Sequence, residues 1–291
     1  MKAKSTAQLT TLARAVANLE SDPRLRTSDD LALSFLDPAL AKIVRFSLLR
    51  RLAIRLYQRW LPGAYLYTIA RTKHIDAVLR AELEQGTTQV VILGAGYDSR
   101  AYRFHDDFPE VRFFEVDYPA TSARKLEKVT VLFGCPPVYV SYVAADLTVD
   151  KLNIALLNGS YDRTRRTLFI CEGVTMYLTA AAVDDTLACV SRDAGRGSSI
   201  VFDYVFHSVL EGDTSLYGAA EAMRLVRKRG EPFLFGISAG KLVLFLRDRG
   251  LEYMAELNPV DIERIYLTRE DDSLIGRSVG YWALVHARRL Q

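Results

Sequence analysis

The sequence has little of what marks secreted, membrane-spanning or metal-binding proteins. Its 291 residues include three cysteines, Cys135, Cys171 and Cys189, with no Cys-x-x-Cys spacing. An odd cysteine count without a motif disfavours a disulfide framework and a zinc site, and it favours a reducing, cytoplasmic setting. No apolar run reaches the ~18 residues of a membrane-spanning helix. The polar, alanine-rich N-terminus lacks the apolar segment of a secretory signal.

Charge of one sign is also scarce. A net charge of +3 is too small to indicate a nucleic-acid partner by itself. The sequence contains 49% hydrophobic and 25% charged residues, which is ordinary for a globular protein. A chain of this length can form one large α/β domain with additions. The oligomeric state does not follow from these numbers.

The most informative stretch is a strand, a glycine turn and a second strand. An apolar run over residues 90–93 is typical of a buried strand, and it stops at Gly94-Ala95-Gly96. The two glycines permit positive φ and let a ligand approach the backbone closely. A second apolar run over residues 111–116 is followed by Asp117, about 20 residues past the glycines, where doubly wound folds place a ribose-binding carboxylate. This pattern predicts a nucleoside-cofactor site.

The residues after the glycines favour one nucleoside cofactor over another. Ser99 stands at the third glycine position of a dinucleotide site, and Asp98 lies at the start of the next helix, where either residue could be the N-cap. A carboxylate there would repel a pyrophosphate. S-adenosyl-L-methionine has no phosphate and carries a cationic sulfonium, so we favour it over NAD. A structural turn that binds no ligand remains the alternative.

Three further predicted strands also end in acids. Residues 138–144 precede Asp146, residues 167–171 precede Glu172, and a fifth strand over residues 198–204 contains Asp203 near its end. Since ligands of open α/β sheets collect outside the carboxyl ends of the strands, one shared crevice is expected there. Asp146 could equally be the cap of the helix that follows it.

Two helical regions accompany the predicted core, which covers residues 87–291. Residues 1–86 are expected to form an N-terminal helical cap, and residues 205–236 a helical lid inserted over the crevice. Within the cap, residues 41–60 form a basic amphipathic helix. We interpret it as having a solvated outer face, although such helices also lie on anionic membranes. Arg71 falls on the next predicted helix, over residues 64–84.

Four sequence pieces, in this order and spacing, resemble the leucine carboxyl methyltransferase family, which includes tetracenomycin-type polyketide carboxyl methyltransferases. The pieces are residues 93–103, 114–119, 145–147 and 172–178. The resemblance implies a class I methyltransferase with a Rossmann-like, doubly wound, mostly parallel sheet. It also implies S-adenosyl-L-methionine as cofactor and a cytoplasmic O-methyltransferase of the carboxyl type. A nucleic-acid substrate is disfavoured, because the tRNA-modifying relatives carry an additional domain.

The resemblance assigns a role to each matching position. Arg71 would pair with the carboxylate of the cofactor, and Glu172 would lie by its amino group. Asp117 would accept hydrogen bonds from the ribose hydroxyls. The remaining positions would contact the methionine end or the adenine, namely Gly94, Ala95, Gly96, Asp146 and Leu147. A further basic contact from the N-terminal region is expected, but no residue between Thr27 and Asp37 aligns with it.

The acceptor is predicted to be a carboxylate of a small molecule or a peptide. A carboxylate is already ionised at neutral pH, so in-line displacement at the methyl group needs no general base. No catalytic residue is assigned with certainty, and the substrate-side candidates are Tyr177, Tyr204 and His207. Two alternatives remain, a phenol or hydroxyl O-methyltransferase with His207 as base and a cofactor-binding protein without catalysis.

Overall fold

The computed structural model describes residues 3–290 and shows a seven-stranded sheet covered by helices. Strands β1 to β5 are mutually parallel, and β7 runs antiparallel to both β5 and β6. The sheet order is β3-β2-β1-β4-β5-β7-β6. The strands are β1 Gln89–Leu93, β2 Arg112–Asp117, β3 Val140–Ala144, β4 Thr167–Cys171, β5 Ser199–Val205, β6 Leu251–Leu257 and β7 Trp282–Arg289. The predicted doubly wound, mostly parallel α/β fold is confirmed.

The central strands form because their sequences are apolar on both faces. Every residue of β1, β4 and β5 is buried, as expected for parallel strands that helices cover on both sides. The register pairs Leu93 with Val116 on one side and with Cys171 on the other. The carboxyl ends of β1, β2 and β4 therefore lie side by side. The strand order reverses direction at β1, which is where such folds bind ligands.

Five helices precede the sheet. They are α1 Ala3–Ala17, α2 Ala32–Phe35, α3 Pro38–Arg45, α4 Ser47–Trp60 and α5 Ala64–Glu84. Helix α5 is largely buried against the core, whereas α4 has no buried residue. The sequence predicted one basic helix over residues 41–60, and this was wrong in detail. Phe46 adopts an extended backbone between α3 and α4, and Arg50 donates a hydrogen bond to the Val44 carbonyl at the end of α3 (2.9 Å).

Eight helices lie among the strands and after them. They are α6 Arg100–Arg103, α7 Pro119–Phe133, α8 Leu152–Asn158, α9 Ala180–Ala188, α10 His207–Leu210, α11 Ala219–Arg229, α12 Leu242–Arg247 and α13 Pro259–Tyr266. Helix α6, which follows the glycine turn, is only one turn long. Within residues 3–290, no helix has the length and apolarity needed to cross a membrane.

Candidate active site

A cavity of about 490 Å³ opens at the carboxyl ends of β1, β2 and β4. Its volume is within the range of small-molecule sites. One wall is the glycine turn after β1, and the opposite wall is the loop after β4. Helix α1 and residues 230–234, which follow α11, complete it. The cavity therefore lies where the sequence predicted a shared ligand crevice.

The glycine turn leaves no room for a side chain at Gly94. Gly94 has φ of +60°, and a Cβ built there would lie 2.3 Å from Cγ2 of Val174. Gly96 has φ of +46°, and its N–H donates a hydrogen bond to Oδ2 of Asp117 (2.5 Å). Both residues, with Ala95 between them, line the cavity. The turn after β1 thus brings its backbone along the cavity wall. Its glycines carry no side chain there, as close contact between backbone and ligand requires.

Asp117 lies at the end of β2 and lines the same cavity. Its two carboxylate oxygens accept hydrogen bonds from the N–H groups of Gly96 and Tyr118, the latter at 2.6 Å. Burial raises the pKa of Asp117, and these two backbone hydrogen bonds act in the opposite direction. The carboxylate is therefore held in one orientation at the cavity edge.

Arg71 lines the cavity from α5, but its guanidinium already contacts two carboxylates. Its Nε lies 3.0 Å from Oε1 of Glu172, and its Nη1 donates a hydrogen bond to Oδ2 of Asp203 (2.6 Å). The guanidinium also packs against the rings of Tyr67 and Trp282. Asp203 thus positions Arg71, a role that its place at a strand end did not reveal.

A second arginine, Arg100, holds the other side of Glu172. Its Nη1 donates to Oδ2 of Asp98 (2.5 Å) and to Oε2 of Glu172 (2.6 Å), and its Nε donates to Asp76 (2.7 Å). Burial acts to raise the pKa of Glu172, but Arg100 and Arg71 outweigh it and lower the pKa. Glu172 is therefore ionised at neutral pH. Sequence reasoning missed Arg100, which follows Asp98 by two residues and reads as a surface helix residue.

Helix α1 brings a basic residue, Arg14, to the cavity from outside the range Thr27 to Asp37. Arg14 lines the cavity, donates a hydrogen bond to the Tyr97 carbonyl (2.6 Å) and lies 3.4 Å from Asp29. Its Nε is buried without a hydrogen-bond partner in the described part of the chain. A signal existed in the sequence, since Gln8, Thr11 and Arg14 recur every three residues on the buried face of α1.

Two of the predicted adenine contacts lie beside the cavity rather than on its wall. Oδ1 of Asp146 accepts hydrogen bonds from the N–H and the hydroxyl of Thr148, at 2.9 and 2.6 Å. Asp146 therefore caps a turn and not the following helix, which begins at Leu152 with Lys151 as its N-cap residue. Thr148, not Asp146 or Leu147, is the residue of this loop that lines the cavity.

The three substrate-side candidates separate clearly. Tyr177 lines the cavity, and burial raises the pKa of its phenol to about 12. Tyr204 does not, because it is buried elsewhere and its hydroxyl donates a hydrogen bond to Glu256 (2.6 Å). His207 also lies outside the cavity, on α10, with its Nε2 3.6 Å from Glu211. Of the three, the structure therefore places only Tyr177 on the wall of this cavity.

The chemistry of the wall fits an adenosyl amino acid. Carboxylates of Glu172 and Asp117 suit an ammonium group and ribose hydroxyls, and the guanidinium group of Arg14 suits a carboxylate. The glycine turn offers backbone without side chains. Within residues 3–290, no cluster of His, Cys, Asp and Glu could hold a metal ion.

Comparisons with known proteins agree with this chemistry. A family model described as "Leucine carboxyl methyltransferase" matches residues 7–191, more than half of the chain. A Bacillus subtilis protein named as a candidate S-adenosyl-L-methionine-dependent methyltransferase is 28% identical over 206 residues, which cover 71% of this chain and 67% of that protein. A Frankia alni protein with the same description is 33% identical over 205 residues, covering 67% and 69%.

Solved structures show the same fold. A candidate methyltransferase of Thermobifida fusca aligns over 84% of this chain and 90% of its own, with a TM-score of 0.61 at 18% identity. The resemblance seen in the sequence is confirmed, and at the level of the family so are the methyltransferase class and the cofactor, S-adenosyl-L-methionine. From the family model and these relatives, we conclude that the chain belongs to the leucine carboxyl methyltransferase family.

Proposed function

We propose that this protein transfers the methyl group of S-adenosyl-L-methionine to a carboxylate of a small molecule or a peptide. The observation that carries the proposal is the composition of the cavity wall. Among the described residues that line it, none is a histidine, and Tyr177 keeps its proton at neutral pH because burial raises its pKa to about 12. Asp117 and Glu172 of the wall are assigned to the cofactor, so a wall without histidine suits an acceptor that is already ionised.

The cofactor contacts belong to the same proposal. Asp117 accepts hydrogen bonds from the ribose hydroxyls, and Glu172 binds the amino group of the methionine end. Arg14 and Arg71, which both line the cavity, face the carboxylate of that end. The loop of Asp146 and Leu147 contacts the adenine by way of its cavity residue, Thr148.

The acceptor end of the cavity is the region around Tyr177. S-adenosyl-L-methionine supplies an electrophilic methyl group on a sulfonium. Val174, Leu178 and Leu234 line the wall beside Tyr177 and exclude water from an acceptor carboxylate. The Tyr177 hydroxyl donates a hydrogen bond to one carboxylate oxygen and leaves the other to attack. Orientation and desolvation are then the enzyme's contribution, and together they can lower a barrier by several kcal/mol.

A matched acceptor screen tests the proposal. Aromatic and aliphatic carboxylic acids are compared with phenols and alcohols of the same skeleton, and methylated products are identified by mass spectrometry. We expect base-labile methyl esters from the acids. Methylation of phenols or alcohols alone would overturn the carboxyl assignment.

Two variants locate the acceptor chemistry. Tyr177→Phe should lower kcat/KM by about tenfold or more, as expected when a hydrogen bond to a charged group is lost. His207→Ala is the control, because His207 lies outside the cavity and should leave turnover unchanged. Loss of turnover in His207→Ala would instead support a hydroxyl acceptor that needs a base.

A further inference from the structure

Helix α4 presents a stripe of large apolar side chains to solvent. The exposed fractions are 78% for Leu48, 45% for Leu49, 53% for Leu52, 44% for Leu56 and 71% for Trp60. Contiguous apolar surface of this kind commonly marks an interaction site in soluble proteins. We call these five residues the α4 stripe. Its exposure indicates a surface that binds another molecule or a membrane.

A row of arginines borders the α4 stripe on the same helix. Arg51, Arg55 and Arg59 are exposed and follow one another every four residues, so they lie along one side of the helix. No aspartate or glutamate occurs anywhere in residues 38–75. In the described part of the chain, no ion pair joins these three arginines to a carboxylate. We call them the arginine row.

The other side of α4 attaches the helix to the protein. Tyr57 and Ile54 are half-buried and pack against the hydrophobic core. The helix therefore has three faces, one packed inward, one apolar and exposed, and one basic and exposed. Since α4 is held by its inner face, the α4 stripe and the arginine row are free to contact a partner together.

We propose that the α4 stripe and the arginine row dock the protein on an anionic lipid bilayer. A helix lying in the bilayer interface places leucine and tryptophan side chains at the boundary of the acyl chains and its cations among the headgroups. Both features occur here side by side on an exposed helix. The proposal concerns a surface outside the cavity and does not depend on the proposed function.

Charge favours a bilayer over a second copy of the chain. In a two-fold symmetric contact the same patch meets itself, so the two arginine rows would approach each other. No acidic residue of the neighbouring segment, residues 38–75, would offset that repulsion. Anionic headgroups complement the row directly, with each arginine contributing to the attraction.

Vesicle flotation tests the proposal with two variants of exposed residues. The full chain is mixed with vesicles of phosphatidylcholine alone or of equal parts phosphatidylcholine and phosphatidylglycerol. The wild type should float with the anionic vesicles and remain in solution with the neutral ones. Leu52→Ser/Leu56→Ser and Arg51→Gln/Arg55→Gln/Arg59→Gln should each weaken the partition coefficient about tenfold or more.

Matched variants elsewhere on the surface serve as controls. Val243→Ser/Leu244→Ser removes two exposed apolar residues from α12, and Arg224→Gln/Arg227→Gln/Lys228→Gln removes three exposed charges from α11. Both should retain wild-type flotation. Wild-type protein that stays in solution with both vesicle types, or an equal loss in the controls, would overturn the proposal. So would self-association in sedimentation velocity that only the stripe variant abolishes.

Discussion

At the scale of single residues, a series of ion pairs with alternating charge runs beside the cavity. Asp76, Arg100, Glu172, Arg71 and Asp203 contact one another in that order, with distances between 2.6 and 3.0 Å. Buried charges are tolerated when each has a partner, and removing one partner is costly. This series of ion pairs therefore holds Glu172 and Arg71 in fixed positions at the cavity before any ligand binds.

Asp117 and Arg71 give the first prediction. Asp117→Ala and Arg71→Ala should each weaken S-adenosyl-L-methionine binding by about tenfold or more, because each removes a charge-assisted hydrogen bond worth ~1.5–3 kcal/mol. Isothermal titration measures the affinity. Asp213→Ala and Asp271→Ala, which remove turn carboxylates outside the cavity, are the controls and should bind normally.

The same two variants should differ in stability. Arg71→Ala leaves Glu172 and Asp203 without a shared cation and should lower the free energy of unfolding by about 3–5 kcal/mol. Asp117 accepts only backbone hydrogen bonds, so Asp117→Ala should cost far less. Normal affinity in both variants, measured where both are folded, would refute the assignment of the site.

Glu172 gives a prediction about pH. Because Arg100 and Arg71 hold the folded-state pKa of Glu172 below its ordinary value, its ionised form stabilises the fold above that ordinary value, near ~4.3. This stability is lost as pH falls through the folded-state pKa. Urea unfolding at pH 7, 5 and 3 should show a smaller loss between pH 5 and 3 for Glu172→Gln than for wild type. Equal losses in the two proteins would contradict this account.

The sequence predicted the acidic residues at the strand ends, but it did not reveal the arginines that contact the same site. Asp117 and Glu172 follow apolar runs next to a glycine turn, so their common edge was predictable. Arg100 and Arg14 were not found, because their roles depend on contacts with residues distant in sequence. The contact of Arg100 with Glu172, for example, spans 72 positions.

At the scale of elements, the glycine turn and the loop after β4 meet at Gly94. Gly94 combines φ of +60° with a distance of 2.3 Å from a built Cβ to Val174. Val174 is β-branched and cannot rotate away easily. The two loops thus pack against each other at Gly94 and Val174, which both line the cavity.

Gly94→Ala should therefore destabilise the protein by about 1–3 kcal/mol and weaken cofactor binding. Gly86→Ala separates the two causes, because Gly86 also has positive φ but a Cβ there would meet nothing within 4 Å. Gly94→Ala combined with Val174→Ala should recover part of the binding by removing the clash. Denaturant unfolding and titration measure both effects, and equal stability of Gly94→Ala and Gly86→Ala would show that the clash does not matter.

Most strands could be predicted from the pattern of apolar residues in the sequence. Buried parallel strands have continuous apolar sequences, so β1, β2, β4 and β5 were placed to within about two residues. Helix α6 is shorter than predicted. Ser99 donates a hydrogen bond to Asp29 and makes no cap bond, while Asp98 accepts hydrogen bonds from the N–H and the guanidinium of Arg100. Tertiary contacts of this kind override local helix signals.

At the scale of the whole molecule, the sheet order brings distant segments to one edge. Arg71 lies on α5 before the sheet, while Asp203 lies in β5, 132 positions later. Helix α1 reaches the same cavity from the N-terminal end of the described chain. The fold class followed from the alternation of strands and helices, but this convergence depends on how the elements pack and is not encoded in any local pattern.

The central claim is that this cavity binds an adenosyl amino acid with its ribose at Asp117 and its amino group at Glu172. A crystal structure with S-adenosyl-L-homocysteine tests it most directly. The account predicts ribose hydroxyls within hydrogen-bond distance of the Asp117 carboxylate and the amino group beside Glu172, with Thr148 near the adenine. Density for the ligand at another place on the molecule, with this cavity empty at saturating ligand, would contradict it.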